Sequence, residues 1–153
     1  MGSKELENLE RLGLLEAAPF SAQLQARLIQ TARNRLADAL RAENSLETRF
    51  DCAYTAIRAL ADVALFASGY RTSTSKPGHH QTTLQCLSHT LDLEPASLRL
   101  LDSLRKQRNA SDYDGEPLTE TALQECIAQA KRLISLVCER YGLAQDANPT
   151  NGS

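Results

Sequence analysis

Arg108, Asn109 and Tyr113 are the residues whose types and spacing point most directly to chemistry. They close the stretch from Pro95 to Gly115, in which Leu98, Leu101 and Leu104 recur at helical spacing. The next position in that series is Arg108, so a guanidinium lies almost in line with an apolar stripe. A charge there has two physical solutions. It is paired and hydrogen-bonded at a helix contact, or it faces a groove where an anion such as a phosphate is its partner. Chemistry alone favours the paired solution, with acidic neighbours such as Asp102 or Asp112 as candidate partners.

Other reactive residue types give less. His79 and His80 are adjacent, point in different directions on a helix and make a poor chelate, so they are expected at a helix start with partly exposed rings. Cys52, Cys86, Cys126 and Cys138 show neither CxxC spacing nor a neighbouring His and read as small core residues. Cys126 and Cys138 fall on one predicted helix, roughly 18 Å apart, too far to bridge. No metal and no cofactor is expected.

The elements that must position Arg108 are helical. Leu, Ala, Arg, Glu and Gln dominate, and only 5% of residues are aromatic, so the expected class is all-α. Residues 4–16 form a short amphipathic helix through Leu6, Leu9, Leu12 and Leu15, ending near Gly13 or before Pro19 and packing over the bundle as a lid. Ser21 caps a helix to about Ala42, and Ser45 caps one to Gly69 whose broad, Ala-rich face predicts neighbours on two sides, with a second copy of the chain as one candidate. A polar loop covers 70–78, a shorter helix covers 82–91, and Pro95 opens the helix that carries Arg108 and ends near Tyr113. Thr119 caps the last helix, with Leu118 and Leu123 as a hydrophobic staple, and Gly142 ends it. The expected architecture is an up-and-down bundle of five to six helices over 19–143, with 1–18 packed on it and 144–153 a disordered tail.

The 153 residues carry a net charge of −2, which argues against coating nucleic acid through bulk charge. The sum hides local bias. Arg27, Arg33, Arg35 and Arg41 stand against Asp38, and Arg99, Arg105, Lys106 and Arg108 against Asp102, whereas the chain turns acidic from Asp112 to Glu125. No apolar run approaches 18 residues and no signal peptide is apparent, so a cytoplasmic, non-membrane protein is expected.

Three segments together resemble the HEPN superfamily, the higher eukaryote and prokaryote nucleotide-binding helical domains. They are Arg49-Phe50-Asp51-Cys52-Ala53-Tyr54, then Gly69-Tyr70-Arg71 followed by Gly78-His79-His80, then Arg108-Asn109 ending in Tyr113. The last sits where that family carries an Arg, four to six residues and a His. The resemblance implies a helical bundle, a homodimer and a groove between protomers. In that groove Arg108 would face an RNA or nucleotide phosphate, with Asn109 as polar helper. It also implies, as an alternative, a metal-independent endoribonuclease of a toxin-antitoxin or defence system.

Here Tyr113 replaces the His. A phenol with a pKa of about 10 is a poor general base at neutral pH, so binding of RNA, a nucleotide or a partner is preferred over catalysis. By the same resemblance, an antitoxin or nucleotidyltransferase partner is implied, with Tyr113 as a possible modification target. A purely structural role for Arg108 is the third reading.

Overall fold

One helix organises the rest. The computed structural model describes residues 3–143; the tail predicted at 144–153 lies outside them. In order, the elements are α1 (Ser3–Arg11), β1 (Leu15–Ala17), α2 (Ala22–Ala39), α3 (Leu46–Ala67), β2 (Tyr70–Thr72), α4 (His79–Gln85), α5 (Leu87–Thr90), α6 (Pro95–Asp114) and α7 (Glu120–Arg140). α3 is the centre. Phe50, Ala53, Tyr54, Ile57, Leu60, Ala61 and Ala64 are buried along it, and α2 and α7 pack against it on two sides. The small residues Ala32 on α2, Ala53, Ala61 and Ala64 on α3, and Ala130 on α7 let these helices approach closely. Both neighbours of the broad α3 face therefore come from the same chain, and no second copy is needed to cover it.

The caps act as local chemistry requires. The side chains of Ser21, Ser45 and Thr119 accept from the backbone N–H groups of Leu24, Thr48 and Ala122. Pro95 occupies the first turn of α6, and Gly115 ends that helix in the left-handed conformation at φ +68. Arg49 reaches back from α3 to donate from Nε to the carbonyl of Ala39 at 2.7 Å, satisfying the end of α2. Arg132 ties α7 to the start of α6 through Ser97 Oγ at 2.6 Å and Glu94 at 3.1 Å. All four cysteines are buried, as core residues should be.

Two expectations fail locally. The first helix stops at Arg11, near the expected end at Gly13, which turns the chain at φ +80, but Leu15, expected on the same helix, instead opens a strand. That strand pairs antiparallel with β2, in register Leu15↔Thr72, Glu16↔Arg71 and Ala17↔Tyr70, where a polar loop was expected. Glu16 and Arg71 add a cross-strand ion pair at 3.1 Å. Leu6 and Leu15 bury with Leu65 and Cys86, so α1 does cover one end of the bundle, held by the ribbon, while Leu12 is left 68% exposed. The second difference is the helix predicted over 82–91: it opens at His79, with the two partly exposed histidines at a helix start as expected, and it breaks at Cys86 into α4 and α5.

Candidate functional site

On α6, Leu101 and Leu104 are buried and Leu98 is partly buried. One turn on, Arg108 leans onto α3. Its Nε donates to Asp51 Oδ1 at 2.8 Å, Asp112 lies at 3.8 Å, and its guanidinium carbon sits 5.3 Å from the centre of the Tyr54 ring. The predicted ion pairing is thus present within one chain, with Asp112 as an expected partner and Asp51 as an unexpected one. Asp102 instead takes Arg105 at 2.9 Å and Lys106 at 3.5 Å.

The three predicted site residues do not converge. Asn109 is half-buried and makes no side-chain hydrogen bond among the described residues. Tyr113 is 84% exposed. Five residues correspond to roughly 140° of rotation on a helix, which turns Tyr113 away from the face that Arg108 shares with α3.

A different group of polar side chains does converge. Asp51, Tyr54, Arg58 and Asp62 follow one another along one face of α3, the face toward α6 and the start of α4. Tyr54 is only 1% exposed, and its hydroxyl has no hydrogen-bond partner among the described residues. Burial pushes the phenol pKa up, while Arg58, Arg108 and Arg105 pull it down, so the oxygen lies in the field of three arginines from two helices. His80 sits in the field of the same three. Burial first, then Arg58, His79, Arg108 and Arg105, push its pKa from 6.5 down to about 4. The His79 and His80 rings meet edge to face with centroids 4.3 Å apart.

Arg58 and Asp62 are the residues that sequence reasoning missed. Both are half-buried, and neither makes an ion pair or side-chain hydrogen bond among the described residues. Burial pushes the Asp62 carboxyl up from 3.8 to about 6, against the opposing pull of Arg58 and His79. The signal was present in the sequence: two opposite charges four residues apart inside the most apolar helix, where unpaired charge is expensive. No group of His, Cys, Asp and Glu among the described residues has the arrangement of a metal site.

Beside this cluster runs a groove of about 730 Å³ between α4–α5 and α6, lined by Leu84, Ser88, His89, Leu98, Asp102 and Lys106 among others. Asp102 joins the two regions, because it lines the groove and holds Arg105, one of the three arginines acting on His80. An extended ligand could place an anionic group at the arginines and an apolar or aromatic one between Leu84 and Leu98.

Asp62 and His80 make opposite contributions to stability. The folded pKa of Asp62 is raised, so its contribution is full below about 3.8 and falls as pH rises through about 6. The folded pKa of His80 is depressed, so its contribution is full above about 6.5 and falls as pH drops toward 4. Between pH 4.5 and 6.5 the two oppose each other. Relative to wild type, Asp62→Asn is expected to lose stability on acidification across this window, and His80→Gln to gain it, measured as urea midpoints at both pH values. Parallel behaviour of both variants and wild type would remove this account of the pair.

No protein-family model, no curated protein and no solved structure matches this chain, so the reading of the site rests on its own chemistry.

Proposed function

We propose that the chain is a binding module for an RNA or nucleotide phosphate, and that it binds through the Arg58, Arg105, Arg108 and His80 cluster between α3, α4 and α6. The observation that carries this reading is Arg58: a half-buried guanidinium with no ion pair among the described residues, beside a buried tyrosine hydroxyl that likewise has no partner among them, and in the field that acts on His80. Arginine at such a site matches a phosphate in geometry and charge. The groove along α6 supplies a surface for the base or sugar of the same ligand.

Binding is favoured over cleavage on two grounds. Tyr113 is turned away from Arg108, and an imidazole with a pKa of about 4 is a weak proton acceptor. The HEPN resemblance supports the same ligand class and adds a homodimer, which belongs to this proposal. The accessible phenol of Tyr113 suits the other role that the resemblance implies, as the residue a partner nucleotidyltransferase modifies.

Fluorescence polarisation with a labelled uridine decamer in excess EDTA tests the reading, with oligomeric state and RNA integrity followed in the same samples. Wild type is expected to bind with an affinity that falls as salt rises. Arg58→Ala is expected to bind at least about tenfold more weakly, the scale of one charge-assisted contact. Equal binding by wild type and Arg58→Ala, or none by wild type at low salt, would refute it. EDTA-resistant cleavage that Arg108→Ala abolishes would install the nuclease reading instead.

A further inference from the structure

Arg108 is engaged within the chain, yet among the described residues the hydroxyl of Tyr54, whose ring it lies over, has no partner. The guanidinium lies over the Tyr54 ring and not on its oxygen, and Asp51 holds it there at 2.8 Å. That ion pair is at the surface, with the Arg108 side chain 23% and Asp51 51% exposed, and a surface pair of this kind is weak and easily exchanged. The second carboxylate, Asp112, is farther away at 3.8 Å. Tyr54 and Arg58 follow Asp51 along the same face of α3, so Asp51, the phenol and the unpaired guanidinium share one side of the helix.

Resting on the phosphate-binding reading above, we propose that Asp51 is a built-in stand-in for the ligand phosphate and that the Tyr54 hydroxyl is a latent donor to that phosphate. In the free chain the Asp51 carboxylate occupies the acceptor position on Arg108. A phosphodiester replaces it there, Arg108 swings from the ring toward the ligand, and the Tyr54 hydroxyl donates to a second phosphate oxygen while Arg58 supplies charge from the same helix face. No bond is made or broken; one acceptor is exchanged for another, and an orphaned donor gains a partner. The protein therefore binds with an affinity lowered by competition from its own carboxylate, which Asp51 sets.

The labelled uridine decamer reports this directly. Asp51→Asn is expected to bind about five- to tenfold more tightly than wild type, with Asp51→Ser as a second variant in which the carboxylate is absent. Glu47→Gln, which removes an equal charge one turn earlier on α3, is expected to change binding far less. Tyr54→Phe is expected to bind several-fold more weakly and to erase most of the gain in the double variant with Asp51→Asn. If Asp51→Asn and Asp51→Ser bind no more tightly than Glu47→Gln, or Tyr54→Phe binds like wild type, the exchange is wrong. In that case, a loss of binding in Arg58→Ala would still leave the binding module itself standing; a wild type that binds no RNA would sink both.

Discussion

Tyr54→Ala is expected to lower stability by about 3–5 kcal/mol, the range for removing a large buried aromatic. Tyr54→Phe is expected to raise it by about 1 kcal/mol. The ring is among the largest fully buried side chains, touches the central core and seats Arg108, so its loss leaves a cavity and unseats a charge. The hydroxyl is different. It is buried without a partner, whereas the unfolded chain offers it water, so its deletion removes a desolvation penalty and keeps the ring. Urea denaturation of the three proteins checks both signs. A Tyr54→Phe variant less stable than wild type by about 1 kcal/mol or more would mean that the hydroxyl is satisfied in solution. Both results together, a more stable Tyr54→Phe that binds more weakly, would describe a residue whose polar atom is kept for a ligand at the expense of the fold.

Ala64→Leu is expected to destabilise by about 1–3 kcal/mol, the usual range for overpacking a filled core. Ala64 is fully buried on α3, and its carbonyl accepts from the Ser68 hydroxyl at 3.2 Å and the Tyr141 hydroxyl at 3.3 Å. A larger side chain there has to displace the core packed around it, which would strain the Tyr141 contact to the same residue. Thermal melting is the check, and a shift of several degrees downward is expected. An unchanged melting temperature would show that the core is not close-packed at this position.

What could be read from the sequence was what depends on near neighbours. Ser21, Ser45 and Thr119 were identified as caps because a cap is a bond to a residue three positions on. Pro95 and Gly115 marked the limits of α6 for similarly local reasons. The ribbon of β1 and β2 was hidden because three residues are too few to show an alternating pattern, and each strand's partner lies 55 residues away in the Glu16 and Arg71 pair. The same distance problem hid the site. That Arg108 needed an acidic partner was apparent, yet the one it uses most closely, Asp51, is 57 residues away. Tyr113 was grouped with Arg108 by a motif, although helical rotation alone places the two on different faces. Arg58 and Asp62 were passed over because the apolar residues around them set the helix face.

The ribbon also constrains the order in which the chain can assemble. Its two strands flank α2 and α3 in the sequence, and the bond from Ala18 N–H to Gly69 O at 2.8 Å closes the ring at their base. Bringing those ends together in an open coil means closing a long loop with only a few hydrogen bonds in return. Once α2 and α3 have zipped into a helical hairpin the ends are already adjacent, and the closure is nearly free of entropic cost. The short sheet is therefore expected to form as a late clasp on a preformed hairpin, with α1, which it secures, settling after it.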